Sequence, residues 1–537
     1  MIDDFRLSEV GASDIQADIC IVGAGPVGIA LAEELEGSSL RVVIVESGGK
    51  SIEAELQALN VGIVAGLPHT GYLDGRGRAL GGTSNLWAGQ CLRLSSVDFE
   101  QREWVPYSGW PVNAEQLAPY YARAEAFFKI SSESYDERTY KLFHLEPPHF
   151  TSETLINHFT VYTPEVDTAR YHLPRLRNSD IRVLLHANVI QVETNEETTR
   201  VCGVLISTLD GKKARVRAQA IVLCAGGIEN ARILLSSQAR RPDGLGNDAD
   251  LVGRFFQEHP NVMTATLDAY DVGNLQERFR VLYRGSSRFF PKFGLSPELQ
   301  RKRRILNCNA HLVFDYPEES GLNALRRVVH AARKRQLPER PLLELGMILR
   351  SLDVAGKSAI RRFVQGRSPV GKPTKIRLQC YLEQAPNPMS RICLARGHDR
   401  LGLPRLCVDW RVTDLERETL IAMTQVVNHE FKHAGFATLQ PEVWLERGGQ
   451  DWMFQLRDCS HHIGTTRMAV SPSNGVVDPN GQVFGVDGLY AAGSSVFPTS
   501  GYANPTLTAV ALAMRLSDTL KHRFTAGSGA KISLSAS

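Results

Sequence analysis

Short apolar runs that end in glycines or acids set the pattern of the first 50 residues. An apolar run at residues 18–22 leads into a glycine-rich turn, and residues 26–35 carry the small and apolar residues of a helix. A second apolar run at 41–46 ends in an acid. Continuous apolar runs of this length are typical of strands buried on both faces of a parallel sheet. The pattern therefore predicts a strand, a tight turn, a helix and a second strand.

The glycines of that turn have the spacing of a dinucleotide-binding fingerprint. Gly23 permits the tight turn, Gly25 lets the backbone approach a pyrophosphate, and Gly28 lets the helix pack on the sheet. The helix would direct its N-terminal N–H groups at the phosphates. Glu46 ends the second strand near the place, about 20 residues on, where an acid holds a ribose hydroxyl. The motif predicts a bound dinucleotide but does not separate FAD from NAD.

Further along the chain the pattern predicts more strands and then changes character. Alternating or apolar runs predict strands at 181–190, 201–207 and 216–223, with a hairpin turn at Asp210-Gly211. The alternation of strand and helix patterns becomes weaker between 267 and 456. In this range, runs at 313–316 and 376–383 predict strands of a second sheet covered by helices. An apolar helix is predicted at 509–520.

Composition limits the classes of protein that fit this pattern. A chain of 537 residues is too long for a single compact core, so we expect two joined domains. A net charge of +3 gives no general case for nucleic-acid binding. Nine scattered cysteines without a C-x-x-C pair indicate reduced thiols and no zinc site, and no other metal site is expected. Because no signal peptide or membrane-spanning apolar run is apparent, we expect a cytoplasmic protein.

Residues 323–367 differ from the rest of the chain in their positive charge. Basic residues are spaced through predicted helices at Arg326, Arg327, Arg333, Lys334, Arg335, Arg350, Lys357, Arg361, Arg362 and Arg367. One interpretation is a solvated helical cover on the second domain. The other is peripheral contact with an anionic membrane or an acidic partner.

Polar residues near the C-terminus could perform chemistry beside a dinucleotide. His461 and His462 are adjacent, and Asn504 precedes Pro505. A histidine, with an ordinary pKa of about 6.5, suits a general base at neutral pH. An amide can donate a hydrogen bond to a substrate oxygen that gains negative charge. Asn504 could also be the N-cap of a helix that begins at Pro505, and an amide has enough hydrogen-bonding sites for both roles.

Two longer segments resemble the glucose–methanol–choline (GMC) family of flavin oxidoreductases. Residues 75–89 resemble the family's second flavin-contacting loop, and residues 461–506 resemble its C-terminal signature. The chain departs from the signature at Ala469, where a glycine is usual, and at Ala492-Gly493, where many members carry an acid. The resemblance implies an α/β fold, with a Rossmann-like FAD-binding domain and an α+β substrate domain built on an antiparallel sheet.

The same resemblance implies an order of domains along the chain. The FAD-binding domain would occupy residues 1–266, with cap or linker segments at about 90–170. The substrate-binding domain would occupy 267–456 and include the basic helical segment 323–367. The chain would return to the FAD domain at 457–525 and end in a flexible tail at 526–537.

The resemblance also implies which residues react and which contact the cofactor. His461 occupies the first position of the H-x-x-G-T pattern, which makes it the catalytic base, with Asn504 as its oxygen-positioning partner and His462 without a catalytic role. Some relatives bond the flavin covalently through a histidine just before the tryptophan, so Leu86 in that place implies non-covalent FAD. With the fingerprint residues, the implied cofactor contacts are Gly23, Gly25, Gly28, Glu46, Gly81, Gly82, Thr83, Ser84, Val189, Ala225, Gly493, Ser494, Asn504, Pro505 and Thr506.

These expectations combine into an FAD-dependent oxidation of the CH–OH group of a sugar, polyol or related alcohol. His461 would act as general base while hydride passes to flavin N5. The substrate class rests on family analogy, and the electron acceptor (oxygen, a quinone or a redox protein) is open. Three alternatives also remain: a lyase of the hydroxynitrile type with an idle flavin, an NAD-linked enzyme, and a non-catalytic flavin-binding protein docked through residues 323–367.

Overall fold

A parallel sheet and a larger antiparallel sheet organise the fold, as a computed structural model of the chain shows. The structure describes residues 1–8, 14–130, 135–319, 321–333, 337–349, 352–446 and 449–525. The tail expected at 526–537 lies outside these residues. The α/β fold class predicted from the sequence is confirmed.

The parallel sheet has six strands. In spatial order they are Ile2–Asp4, Arg182–Leu185, Val42–Val45, Ile19–Val22, Ala220–Leu223 and Leu489–Ala491. The central strands are buried along their whole length, as their continuous apolar sequence requires. The helices Pro26–Leu35 and Ala114–Phe127 each pack against the helix Thr506–Thr525, and Pro26–Leu35 also packs against the sheet. The predicted strand, turn, helix and strand at 18–46 are confirmed.

A smaller sheet lies next to the parallel sheet, and its strands correct two predictions. Its order is Ile15–Gln16, Lys213–Arg217, Val201–Ser207 and Asn188–Thr194, and the hairpin through Gly211 (φ +92°) is confirmed. The prediction of one strand at 181–190 is wrong, because His186 has φ +58° and the chain passes there from one sheet to the other. The run at 216–223 is divided in the same way, between Lys213–Arg217 and Ala220–Leu223.

The antiparallel sheet is the largest sheet of the second domain. Its order is Ala437–Pro441, Asn261–Ala269, Lys375–Leu382, Cys308–Asp315, Ser287–Leu295, Leu155–Tyr162 and Gln90–Cys91, and Leu282–Arg284 pairs with Ser287–Leu295. The strands predicted near 313 and 376 are therefore confirmed. The sheet also takes strands from the segment of about 90–170. The helix Asp414–His433 packs on this sheet.

The remaining elements are short. A small sheet contains Arg391–His398, Pro404–Asp409 and Ile63–Val64. The other helices outside the basic segment are Ala54–Gln57, Gly71–Asp74, Ser96–Phe99, Thr168–Asn178, Gly226–Ser236, Val272–Phe279, Pro297–Arg303 and Val443–Glu446. Short 3-10 helices occur at Ala58–Asn60, Gly82–Asn85, Glu137–Phe143, Asp451–Gln455 and Ser494–Val496.

The basic segment forms the helices Gly321–Arg333, Pro341–Leu349 and Leu352–Phe363. Some of its charge is neutralised, because Arg327 binds Glu344 at 2.7 Å and Arg361 binds Glu277 at 2.6 Å. Arg367 also binds Glu277. The side chains of Arg326, Arg333, Lys334, Arg335, Arg350 and Lys357 lie outside the described part of the structure. Among the described residues, no helix is both long and apolar enough to span a membrane.

Candidate active site

Two adjoining cavities open at the carboxyl ends of the parallel strands, where ligands bind in folds of this class. The first, of about 150 Å³, lies against the turn after Ile19–Val22. The second, of about 570 Å³, lies between that turn and the C-terminal segment. Both are lined by Thr83, Cys224, Gly226, Gly227 and His462, so they are adjacent.

The first cavity contains many of the predicted dinucleotide contacts. It is lined by Gly23, Gly25, Glu46, Gly82, Thr83, Val189 and Ala225. The carboxylate of Glu46 accepts hydrogen bonds from the backbone N–H of Ala24 and of Gly48, both at 2.8 Å. Burial raises the pKa of Glu46, and these two N–H groups oppose that effect. The acid is thus held in a fixed orientation at the cavity wall.

The second cavity contains the predicted reactive pair. It is lined by His461, Gly493, Ser494, Asn504, Pro505 and Thr506. The Nδ2 atom of Asn504 lies 3.4 Å from Nε2 of His461, although 43 residues separate the two in sequence. The helix predicted to start at Pro505 begins at Thr506, where the backbone N–H of Ala509 donates to Pro505. The side chain of Asn504 therefore faces His461 rather than serving only the helix.

A third residue, His259, fixes the protonation of His461. Nε2 of His259 faces the carbonyl oxygens of Ser500 at 3.2 Å and Gly501 at 2.9 Å. Carbonyl oxygens only accept, so Nε2 must carry the proton and Nδ1 of a neutral His259 must accept. Nδ1 of His259 lies 2.8 Å from Nδ1 of His461, which must then donate. This leaves Nε2 of His461 as an unprotonated base directed at Asn504.

Electrostatics keep both rings neutral. Burial, and then the nearby His259 and Lys292, lower the pKa of His461 well below its usual range. Burial also lowers the pKa of His259, against a raising effect of Glu258. Glu258 further holds the loop in place, because its Oε2 accepts the backbone N–H of His461 at 2.9 Å. The site therefore presents a neutral imidazole in one tautomer beside an amide donor.

Comparison with known proteins places this geometry in a family. The family model described as GMC oxidoreductase matches residues 386–513, and the one described as FAD dependent oxidoreductase matches residues 18–242. Together they cover both cavities' principal walls. The chain carries a GMC oxidoreductase domain at its C-terminal side and an FAD-dependent oxidoreductase domain at its N-terminal side.

Individual relatives are distant but match over nearly the whole chain. It is 21% identical to the fructose dehydrogenase large subunit of Gluconobacter japonicus, over 94% of this chain and 98% of the relative. It is 25% identical to paromamine 6'-oxidase of Streptomyces fradiae, over 93% and 90%. The solved structure of formate oxidase matches with a TM-score of 0.55 at 16% identity, covering 96% of this chain and 100% of that one. At that identity the structural match supports the fold alone.

The backbone of the first cavity fits the cofactor of a GMC oxidoreductase. A Cβ atom added at Gly25 would meet nothing nearer than Gly82 at 3.9 Å, and one at Gly226 (φ +88°) would meet no protein atom within 4 Å. These open positions form a cradle that side chains would fill. A Cβ at Gly28 would instead lie 2.0 Å from the carbonyl oxygen of Gly23, so Gly28 serves the packing of turn and helix.

Three predicted contacts do not line either cavity: Gly28, Gly81 and Ser84. Gly81 (φ +91°) donates its backbone N–H to Ala24 at 2.8 Å, which joins the second loop to the fingerprint turn. Ser84 donates its hydroxyl to the carbonyl of Gly81 at 2.6 Å. Their visible roles are to shape the loop that carries Gly82 and Thr83.

A buried ion-pair network, which the sequence interpretation left without a role, also lines the first cavity. Arg78 lies 2.9 Å from Glu229, and Arg76 and Arg232 also contact this carboxylate. Although burial alone would raise it, the pKa of Glu229 is held far below its usual range by these arginines. Arg232 also binds Asp399 at 2.6 Å. The only sequence signal was the pair of arginines among the glycines of the 75–89 segment.

His69, Glu258 and His462 have the spacing of a metal site among the described residues, because their ligand atoms lie within 4.8 Å of one another. The hydrogen bonds oppose that interpretation. Nδ1 of His69 accepts the backbone N–H of Tyr72 at 3.0 Å, so a neutral ring carries its proton on Nε2. That Nε2–H donates to Glu258 at 3.1 Å and offers no lone pair to a metal. Glu258 instead joins His69 to the loop that carries His461, because it accepts from Nε2 of His69 and from the backbone N–H of His461.

Proposed function

We propose that this protein oxidises the CH–OH group of a sugar, polyol or related alcohol, with His461 as general base. The observation that carries the proposal is the set of hydrogen bonds made by His259, which leave Nε2 of His461 unprotonated in the second cavity. The names of the relatives, a fructose dehydrogenase and a paromamine oxidase, support a sugar-like alcohol as substrate. When bound, FAD supplies the acceptor at N5 for the hydride that leaves the carbon.

The residues of the second cavity divide the work on the substrate hydroxyl. Nε2 of His461 takes the hydroxyl proton, since it is the unprotonated nitrogen. The amide of Asn504 has a second N–H, besides the one that faces His461 at 3.4 Å, and donates it to the substrate oxygen as negative charge develops. The N-terminus of the helix Thr506–Thr525 adds its positive end to the same wall.

His259 can accept a proton from His461, which moves the positive charge away from the reacting oxygen. When Nε2 of His461 is protonated, its Nδ1–H can pass to Nδ1 of His259, 2.8 Å away. The resulting cation of His259 would donate to the carbonyls of Ser500 and Gly501 and lie next to Glu258. Because these groups favour the positive ring, they offset part of the effect of burial on the pKa.

We also propose that the FAD is held by contacts alone. Leu86 lines the second cavity and has no nucleophilic atom that could bond to the cofactor. Nine free cysteines support a reducing compartment, and the cytoplasm stays our proposed location. Oxygen, a quinone and a redox protein stay the candidate electron acceptors, and peripheral membrane contact through 323–367 stays a prediction. Exposed Leu342, Leu343 and Phe363 of that segment support it.

A substrate panel tests the proposed function. The holoenzyme is assayed with sugars, polyols and simple alcohols, once with oxygen and once with an artificial dye as acceptor. We expect turnover on at least one CH–OH compound. His461→Ala should lower that turnover by about 100-fold or more, because a general base usually contributes about 10²- to 10⁴-fold to the rate. The FAD absorbance of the variant should be unchanged. Equal turnover by both proteins would contradict the role of His461.

A further inference from the structure

A buried lysine without a counter-ion lies on the antiparallel sheet near His461. Lys292 is only 5% exposed and stands on Ser287–Leu295, paired in register with His158. Among the described residues it has no carboxylate partner and no hydrogen-bond acceptor. Its contacts are with aromatic faces, with Nζ at 5.1 Å from the ring centre of Tyr381 and 5.6 Å from that of Phe290. A buried ammonium without a counter-ion is unfavourable, because its lost hydration is not replaced.

Lys292 remains positively charged at neutral pH. Burial lowers its pKa from 10.5 to about 8, and the nearby thiol of Cys459 opposes the shift. At pH 7 most of the population is therefore still protonated. The charge is also felt at the reactive centre, since Lys292 is one of the groups that lower the pKa of His461. An anion placed beside Lys292 would remove this energetic conflict.

The neighbours of Lys292 include buried ring nitrogens that also have no hydrogen-bond partner. Neither ring nitrogen of His158 has a hydrogen-bond partner, and Nδ1 of His311 has none. Burial, followed by the charge of Lys292, lowers the pKa of both histidines to about 3, so each is neutral and carries one N–H. Buried polar atoms without partners are uncommon in folded proteins and call for an explanation.

This group of residues adjoins the second cavity. Tyr381 lines that cavity together with His461, and its ring stacks on His311 with centres 5.5 Å apart. Cys459, whose thiol interacts with Lys292, lines the same cavity. A ligand whose hydroxyl faces His461 could therefore extend toward Lys292. A flexible four-carbon stem lets the ammonium move to meet it.

We propose that the substrate carries an anionic group, a carboxylate or a phosphate, that binds Lys292 beside His158 and His311 while its CH–OH carbon faces His461. This inference rests on the proposed function and narrows its substrate class from sugars and alcohols to acidic ones. Lys292 is a specificity-determining residue in this account: it contributes to binding of the anion, and proton removal stays with His461.

Matched pairs of compounds test the proposal on the holoenzyme. Gluconate is compared with glucitol, and glucuronate and glucose 6-phosphate with glucose, so that each pair differs in the acidic group. The measurements are kcat/KM for anaerobic flavin reduction and the rise in Tm that each compound causes. We expect at least one acid to exceed its neutral mate by about 10-fold or more, since a hydrogen bond to a charged group contributes about 1.5–3 kcal/mol. Response to the carboxylates or to the phosphate identifies the source of the anion.

Variants separate binding of the anion from the chemistry. Lys292→Met should lower the acid-to-neutral ratio of kcat/KM by about 10- to 100-fold, and Lys292→Arg should restore part of it. Lys375→Met removes an exposed lysine from a strand of the same sheet and should leave the ratio unchanged. FAD content and the Tm without ligand check that each variant folds.

The outcomes distinguish this proposal from the proposed function. If neutral compounds reduce the flavin as well as acids do, and Lys292→Met leaves the ratio unchanged, the acidic substrate class is wrong while the oxidoreductase function stands. If no compound reduces the flavin, the proposed function fails for this panel. The Tm measurements then decide the anion site alone: a rise with the acids in the wild type and not in Lys292→Met supports it, and no rise overturns it.

Discussion

Replacing His259 by leucine tests the mechanism at the residue that sets the tautomer of His461. The change removes the only described partner of the buried Nδ1–H of His461, the acceptor 2.8 Å away. It also leaves the carbonyls of Ser500 and Gly501 without the N–H that now faces them. Freed from His259, the ring of His461 can move its proton to Nε2, and in that tautomer it has no base toward the substrate.

The size of the effect follows from the hydrogen bond that is lost. A buried donor left without a partner costs about 1–3 kcal/mol, which corresponds to about 5- to 150-fold in the population of the basic tautomer. We expect the rate of anaerobic flavin reduction at saturating substrate to fall by that factor, with FAD content unchanged. His259→Asn should recover part of the rate, because its carbonyl oxygen can accept from His461 while its amide N–H serves the backbone carbonyls.

A matched control and a clear contradiction complete this experiment. His433 is exposed at the end of the helix Asp414–His433 and lines neither cavity, so His433→Leu should reduce the flavin at the wild-type rate. If His259→Leu also reduces it at that rate, the tautomer argument is refuted. It is equally refuted if the leucine and asparagine variants are slowed alike, since a merely structural role would not depend on an acceptor atom.

Three further predictions concern stability and the cofactor. Burial lowers the pKa of His311 from 6.5 to about 3 in the folded protein. Below pH 6.5 the unfolded chain therefore binds more protons than the folded protein does. Stability is lost as pH falls, by about 2 kcal/mol at pH 5 from this residue. His311→Phe should shrink the difference in unfolding free energy between pH 7 and pH 5 by that amount in urea titrations, and an unchanged difference would refute the cause. Acid precipitation should release the flavin into the supernatant, whereas a yellow pellet would show a covalent bond despite Leu86. Glu46→Gln should weaken FAD binding by about 10-fold or more in titrations of the apoprotein, because the carboxylate offers a charged acceptor to a ribose hydroxyl; unchanged affinity would place the ribose elsewhere.

Local patterns predicted those parts of the fold that depend on few residues. The fingerprint turn is confirmed. It could be predicted because Gly23 and Gly28 stand where a Cβ atom would collide with the backbone, and they lie within ten residues of each other. The run at 181–190 was predicted wrongly as one strand, because periodicity reports which residues are buried and not which sheet buries them. There His186 turns the chain with φ +58° and binds Asp4 and Glu53, partners that no local pattern reveals.

The same limit explains what was missed at the site. His461 and Asn504 were found through a motif, whereas His259 lies 202 positions from His461 and bears no signal of its own. Lys292 was missed for a related reason: a lysine in a strand gives no indication that its charge is buried without a partner. The predicted domain boundaries also stay predictions. Two strands of the segment expected to be cap or linker, at 90–91 and 155–162, belong to the antiparallel sheet.

Anaerobic mixing of the holoenzyme with a substrate from the panel, followed at the flavin absorbance, tests the central claim most directly. We predict bleaching of the wild-type flavin and bleaching at least about 100-fold slower in His461→Ala, consistent with removal of a general base. Bleaching requires reduction of the flavin by the substrate, so it also excludes a lyase with an idle flavin and a non-catalytic role. Turnover of a CH–OH compound while the flavin stays oxidised, or equal bleaching of both proteins, would contradict the account.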